Sequence, residues 1–131
     1  MIDLSSLNRA LATLDEALAA HARVPEDKLI RDACIQRFEY SYELSHKMLR
    51  RYLEAAEPGG VAELSFPQLI RLGFTRGPLS ESWDIWSVFR DARNATSHAY
   101  GETKAREVAA KLPAFAQAAR FLAQQIEARQ Q

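Results

Sequence analysis

Cysteine, long apolar runs and net charge are all scarce in this chain of 131 residues. Its single cysteine, Cys34, excludes an intramolecular disulfide and a thiolate metal cage, which favours a reducing cytoplasm. No apolar run approaches the roughly 20 residues that a membrane-spanning helix needs, and the N-terminus lacks a secretion-signal pattern. Because 17 basic side chains balance 17 acidic ones, a protein that coats nucleic acid by bulk attraction is disfavoured. A small, locally charged site remains compatible with this composition.

The balanced charge conceals two halves of opposite sign. Residues 1–65 carry 8 basic and 11 acidic side chains, whereas residues 66–131 carry 9 basic and 6 acidic ones. A cancellation of this kind suits a compact domain or a self-associating pair better than a basic arm or tail. The length fits one domain that covers residues 1–131.

Valine and threonine are also scarce, with four of each, whereas alanine occurs 22 times and leucine 15 times. That composition favours helices over strands through side-chain entropy. Four of the five glycines and three of the five prolines fall between positions 58 and 78, which predicts helices on both sides of one broken connector. The sequence therefore predicts an all-α, up-and-down bundle of four or five helices.

Apolar periodicity and cap residues predict five helices. They cover, in chain order, about residues 3–22, 25–55, 65–73, 80–100 and 103–129. Pro25 is expected near the start of the second helix, with Asp27 in its first turn. Gly73 is the expected end of the third helix, and Ser80 is the expected N-cap of the fourth. Pro113 predicts a kink or a late start in the fifth.

The apolar stripes of these helices form the predicted core. The first two helices contribute Leu4, Leu7, Leu11, Leu14, Leu18, Ile30, Cys34, Phe38, Leu49 and Leu53, with Tyr42 or Ile35. The fourth and fifth contribute Trp83, Trp86, Phe89, Val108, Leu112, Phe115, Ala119, Leu122 and Ile126. In this arrangement Cys34 acts as a small hydrophobic side chain.

Polar side chains interrupt the aromatic stripe in the segment 90–100, Arg-Asp-Ala-Arg-Asn-Ala-Thr-Ser-His-Ala-Tyr. On a continuous helix, Asn94 and His98 share one face and Arg93 lies beside Ser97. Arg93 offers a planar fork to phosphate oxygens, and His98 can take or give a proton near neutral pH. No carboxylate–histidine arrangement has metal-site spacing, so metal-independent work on a phosphodiester is the simpler hypothesis. A two-fold dimer would bring a second histidine to the same phosphorus atom.

A purely structural interpretation of the same side chains is also open. In that interpretation Arg93 pairs with Asp91 or Glu43, and His98 caps the carbonyl groups at the end of its helix. Glu43 and Lys47 are spaced as an i,i+4 ion pair on the second helix. Spacing alone does not separate these structural roles from catalysis.

Arg93, His98 and Tyr100 form an R-x4-H-x-Y pattern that resembles the R-x4–6-H motif of HEPN domains. The stretches DLSSLNRALATLDEAL, RDACIQRFEYSYELSHKMLRRYL and RDARNATSHAY resemble, in the same order, the prokaryotic HEPN group named nucleotidyltransferase substrate-binding proteins. These small helical proteins are typically encoded beside a minimal nucleotidyltransferase (MNT). The resemblance covers nearly the whole chain and implies a HEPN bundle that forms a two-fold dimer with the motifs facing a shared cleft.

What the resemblance implies for function is a toxin-type, metal-independent endoribonuclease without a cofactor, whose catalytic residues are Arg93 and His98. The residues expected to support RNA binding are Asn94, Ser97 and Arg90. In HEPN–MNT toxin–antitoxin pairs the MNT partner adenylylates the motif tyrosine, here Tyr100, and an anionic adenylate beside Arg93 would block the cleft. The alternative is a non-catalytic subunit that binds the substrate which its partner nucleotidylates.

One departure from the family pattern lies in the second predicted helix. Relatives often carry an aromatic residue in the sequence E-L-A-W-K, where this chain has Glu-Leu-Ser-His-Lys at positions 43–47. The change is expected to alter packing or the edge of the cleft. It leaves the role of His46 open, together with that of the basic cluster Lys47, Arg50 and Arg51.

Overall fold

The computed structural model describes residues 1–98 and 101–130, and within them the chain forms only helices and connecting loops. The α-helices are α1 Ser5–Arg23, α2 Lys28–Ala56, α3 Phe66–Arg76, α4 Trp83–Ala95, α5 Glu102–Ala110 and α6 Leu112–Arg129. Short 3₁₀ helices cover Val61–Glu63 and Thr96–His98. The all-α prediction is confirmed, and the predicted fifth helix is divided into α5 and α6. Pro113 lies in the first turn of α6, where its missing N–H is least costly, so of the predicted kink or late start it is a helix start that the structure has there.

Helix α2 is central, because it packs along α1 and also contacts α5 and α6. Helix α4 packs against α3 and α5. Phe115 of α6 lies where several helices meet, with its ring centroid 4.9 Å from that of Phe38, 5.5 Å from Phe89 and 6.1 Å from Trp86. All three pairs have the edge-to-face geometry that aromatic rings prefer. One aromatic cluster therefore joins α2, α4 and α6.

The predicted apolar stripes do form the core. Cys34 is fully buried, and burial raises the pKa of its thiol, as expected for a small hydrophobic side chain. Three members of the stripes are only partly buried against the core: Leu18, Ile30 and Trp83. Among the described residues, no helix combines the length and the apolarity that crossing a membrane requires.

The predicted start of α2 is wrong, because the helix begins at Lys28 and not near Pro25. The Asp27 carboxylate accepts hydrogen bonds from the backbone N–H groups of Leu29 at 2.9 Å and Ile30 at 3.1 Å. A side chain that binds these free N–H groups belongs to the N-cap, outside the first turn. Asp27 therefore sets the start of α2, and Pro25 lies in the connector.

The predicted end of α3 is also wrong. Ser65 caps its start, but the helix continues past Gly73 to Arg76 and is capped by Gly77, which has a left-handed φ of +103°. A Cβ atom on Gly73 would lie 2.9 Å from Leu79 Cδ1, so this glycine allows close packing and does not end the helix.

Helix α4 begins two residues later than predicted, after Ser82 and not after Ser80. The N–H of Leu79, a buried residue, bonds to the Gly73 carbonyl at 3.3 Å and keeps the preceding chain in the turn that ends α3. The α-helical part of α4 then ends at Ala95, where the 3₁₀ helix takes over.

Candidate functional site

Arg93 is held on two sides of its guanidinium in the last turn of α4. Its Nε donates to Glu43 Oε1 of α2 at 3.0 Å, and its Nη1 donates to Thr96 Oγ1 at 3.2 Å. The Thr96 hydroxyl in turn donates to the Arg93 carbonyl at 2.7 Å. Glu43 is thus the partner of Arg93 rather than of Lys47. The Arg93 side chain keeps 30% of its surface exposed, so an anion can reach it.

The short 3₁₀ helix Thr96–His98 carries Ser97 and His98. It follows α4 directly, so His98 does not lie on the continuous α-helix that the prediction of a face shared with Asn94 assumed. Ser97 Oγ donates to the Asn94 carbonyl at 3.2 Å. His98 is exposed and makes no hydrogen bond to any part of the chain that the structure describes, so the predicted capping role is not seen there.

The structure therefore gathers most of the predicted site residues at the end of α4. Arg90, Arg93 and Asn94 lie on the helix, and Ser97 and His98 lie on the turn that follows it. Tyr100, the predicted modification site, lies outside the described residues.

An aromatic cluster that the sequence did not predict adjoins this segment. The Phe66 ring of α3 lies 4.4 Å from the ring of His46 in α2 and 5.9 Å from that of Trp83 in α4, measured between centroids. The guanidinium carbon of Arg90 lies 5.8 Å from the Phe66 centroid and 6.0 Å from the Trp83 centroid. We call these four residues the aromatic shelf. Trp83 and Arg90 are seven residues apart, which is two turns of a helix. Of the contacts in the shelf, only the one between these two residues could have been predicted from spacing in the sequence.

His46 is an uncharged member of the shelf. Burial lowers the pKa of its imidazole, and the nearby Arg50 lowers that pKa further. Arg50 Nη2 lies 3.4 Å from His46 Nε2, while its Nη1 donates to the Val61 carbonyl at 3.1 Å. Arg50 therefore ties α2 to the following connector, whereas Lys47 and Arg51 of the predicted basic cluster are exposed.

A second charged group lies at the start of α5, beside a cavity of about 750 Å³. Arg31 of α2 is only 9% exposed, and its Nη1 donates to Glu102 Oε1 at 2.9 Å. Lys28 and Arg106 also pair with Glu102, at 3.6 and 3.2 Å. The hydrogen bond from Arg31 holds the pKa of Glu102 below its usual range. This cluster fastens the helix that follows the motif to α2.

The geometry at the end of α4 suits an anionic substrate. Arg93 provides a fixed guanidinium for phosphate oxygens, and His98 provides an accessible imidazole for proton transfer. Within residues 1–98 and 101–130, no three His, Cys, Asp or Glu side chains come together as metal ligands. Arg93 and His98 offer charge stabilisation and proton transfer.

Comparison with known proteins gives a consistent match along the chain. A family model described as "Nucleotidyltransferase substrate binding protein like" matches residues 2–128. A Haemophilus influenzae protein named "Probable ribonuclease HepT" is 36% identical over 110 residues, which cover 82% of this chain and 74% of that protein.

Two solved structures share the fold. One, from Haemophilus influenzae, is described as the fold of a substrate binding domain of a nucleotidyltransferase; it superposes with a TM-score of 0.85 at 29% identity, covering 95% of this chain and 99% of that one. The other, from Thermus thermophilus, gives a TM-score of 0.71 at 32% identity, covering 92% and 98%. The helical bundle is therefore common to these proteins.

Proposed function

Because the chain belongs to the nucleotidyltransferase substrate binding protein like family, we propose that it is a metal-independent endoribonuclease of the HEPN type. Arg93 holds the scissile phosphate, and His98 transfers protons to and from it. The observation that carries this proposal is the orientation of Arg93, whose guanidinium is bonded to Glu43 and Thr96 and is still 30% exposed next to the turn that carries His98. The name of the relative, a probable ribonuclease, supports the same reaction class.

The proposed reaction moves one proton at each end of a phosphoryl transfer. A base removes the proton of the ribose 2′-hydroxyl, whose oxygen attacks phosphorus as the bond to the 5′-oxygen breaks. An acid then protonates that leaving oxygen. The positive charge of Arg93 stabilises the extra negative charge on the phosphorane oxygens. Asn94, Ser97 and Arg90 surround this centre and support binding of the strand.

A two-fold dimer supplies the base and the acid from two copies of His98. One imidazole cannot easily act on both sides of a phosphorus atom, whereas two copies facing a shared cleft can. Ile85 and Val88, one turn apart on α4, are 40% and 37% exposed, and pairing through this helix, which carries Arg93, would cover them. A mass near twice the monomer's 14.8 kDa in multi-angle light scattering supports the dimer; a monomer that still cleaves RNA contradicts it.

The test of catalysis is cleavage of cellular RNA by purified protein in EDTA. We expect His98→Ala to lower the rate about 10²- to 10⁴-fold, the usual contribution of a positioned acid or base. Arg93→Ala is expected to lower it by about 10²- to 10³-fold, as when an oxyanion donor is lost. Arg51→Ala, which removes an exposed cation of α2, is the matched control and should leave the rate unchanged. Cleavage that persists in His98→Ala, or that EDTA abolishes, contradicts the proposal.

Regulation by a partner is the second part of the proposal: an MNT enzyme transfers adenylate from ATP to Tyr100. The family name, which refers to a nucleotidyltransferase, supports an association of this kind. Co-expression with an MNT enzyme should give a complex, a mass shift of one adenylate, and loss of RNA cleavage. Tyr100→Phe should lose the mass shift and keep the cleavage. A modification that survives in Tyr100→Phe refutes the assignment of the residue.

The alternative function is a non-catalytic subunit that binds what its partner nucleotidylates. The solved relative described as a substrate binding domain of a nucleotidyltransferase favours it. The two functions differ in one result: without the partner, the catalytic protein cleaves RNA in a manner that depends on His98. A complex that forms with the MNT, without RNA cleavage by the free subunit, favours the alternative.

A further inference from the structure

We propose that the aromatic shelf is a stacking subsite for one nucleobase of the strand whose phosphate Arg93 holds. The identity of that strand as the substrate rests on the proposed function, whereas the stacking itself depends only on the shelf. The subsite would take a base without reading its identity, because every base has a π-face. Its outer surface is the guanidinium of Arg90, above the rings of Phe66 and Trp83.

Partial exposure distinguishes the shelf from the aromatic core. Trp86 and Phe89, which face the core from the same helix, are each only 2% exposed. Phe66, Trp83 and His46 are half-buried, and Arg90 is exposed. Rings that contribute only to stability have no need of an accessible face, whereas a stacking surface requires one.

The spacing of the shelf from Arg93 fits a nucleotide. Arg90 and Arg93 are three residues apart on α4, so their Cβ atoms are about 5–6 Å apart on neighbouring turns. On α2, His46 of the shelf and Glu43, which binds Arg93, are also three residues apart. Both helices thus place a shelf residue one turn from the phosphate that Arg93 is proposed to hold. One ribose spans a separation of this size between a base and its phosphate.

The chemistry of the four side chains favours stacking over attraction of charge alone. Arginine presents a flat guanidinium on which bases stack, and aromatic rings beneath it hold that plane in place. His46 is uncharged at neutral pH and therefore does not repel Arg90. Because the His46 ring packs against that of Phe66 at the edge of the shelf, a larger ring at position 46 would extend the same surface.

The experiment uses the fluorescence of the whole protein, which contains two tryptophans. Trp83 is half-buried and Trp86 is only 2% exposed, so a base that stacks on the shelf should quench Trp83. The probe is a 2′-O-methylated adenosine trinucleotide, which has no free 2′-hydroxyl on which cleavage depends. We expect saturable quenching with this probe and none with inorganic phosphate. Trp83→Phe should lose the signal while retaining binding of a labelled probe within a few-fold.

Substitutions of Arg90 separate stacking from charge without disturbing the core, because the side chain is exposed. Both Arg90→Ala and Arg90→Lys should weaken binding, within the range of about 5- to 150-fold that stacking of one base accounts for. Arg51→Ala is the charge-matched control, with a change below about two-fold. His46→Trp should bind at least as tightly as the natural chain. Circular dichroism checks that each variant is folded.

Two results overturn the inference: Arg90→Lys binding as tightly as the natural chain, or equal quenching by inorganic phosphate. The first would show that Arg90 contributes charge alone, and the second that quenching does not report a base. Neither result depends on cleavage. Base-dependent quenching without ribonuclease activity would refute the proposed catalysis and support the subsite. Cleavage that depends on His98, without base-dependent quenching, would support the catalysis and refute the subsite.

Discussion

Gly73 allows two opposing effects on stability to be weighed in one substitution. Gly73→Ala stabilises a helix interior by about 1 kcal/mol, because glycine loses more backbone entropy on folding. Against this, the new Cβ would lie 2.9 Å from Leu79 Cδ1 and 3.2 Å from Leu49 Cδ1. Both leucines are buried, with 3% and 1% of their surface exposed, so neither can swing into solvent. Overpacking of this kind costs about 1–3 kcal/mol, which gives a net destabilisation of roughly 0–2 kcal/mol.

Urea unfolding at 25 °C measures this difference. Gly101→Ala is the control without overpacking, because Gly101 precedes α5 as its N-cap and a Cβ there meets no described atom within 4 Å; it should lower stability by about 1 kcal/mol or less. In a double-mutant cycle, Leu79→Ala makes room for the Cβ of Ala at position 73, so the pair should couple favourably by about 1–3 kcal/mol. If Gly73→Ala instead raises the free energy of unfolding by the full amount of about 1 kcal/mol expected from helix propensity, and shows no coupling energy with Leu79→Ala, the packing role of this glycine is refuted.

Three further outcomes are expected. Phe115→Ala should destabilise the chain by about 3–5 kcal/mol in urea unfolding, because it removes the ring that joins α2, α4 and α6; a loss below about 1 kcal/mol contradicts this. Burial raises the pKa of Tyr42 to about 12. The free energy of unfolding should therefore fall as pH rises from about 10 towards 12, because the unfolded state releases the phenolic proton first. Tyr42→Phe should show a smaller fall in the free energy of unfolding over the same pH range. Arg31 holds the pKa of Glu102 below its usual range, so the carboxylate stabilises the fold above its ordinary pKa and less as pH falls. The difference in melting temperature between the natural chain and Glu102→Gln should therefore shrink in acid, and a constant difference argues against the pairing.

Most of the helical architecture is predictable from local sequence. An alanine- and leucine-rich chain with apolar residues at three- and four-residue steps forms amphipathic helices, and the buried faces of those helices match the predicted stripes. Helix ends are less predictable because they depend on contacts. Pro25 and Gly73 are plausible boundary residues by type, yet the Asp27 cap places one boundary later, and close packing against Leu79 keeps Gly73 inside its helix.

In the candidate site, too, some features could be predicted from the local sequence and others depend on how the helices pack. Arg93 and His98 can be proposed as site residues from the sequence because they lie on one short stretch of chain, to which the motif resemblance applies. The partner of Arg93 was left open between Asp91 and Glu43, and the packing of α4 against α2 selects Glu43, 50 residues away. The continuous α-helix that was assumed for the face shared by Asn94 and His98 ends at Ala95, where a 3₁₀ helix follows.

The aromatic shelf shows what tertiary structure alone decides. Its residues come from α2, α3 and α4, and only Trp83 and Arg90 share a helix. Their apolar and basic character is visible in the sequence, which therefore determined the helices and the chemical groups available on each. Which faces meet depends on how the helices pack, and side chains at positions 46, 66 and 83 become neighbours only when α2, α3 and α4 are assembled. Periodicity describes one helix at a time, whereas a site formed between helices depends on the contacts among them.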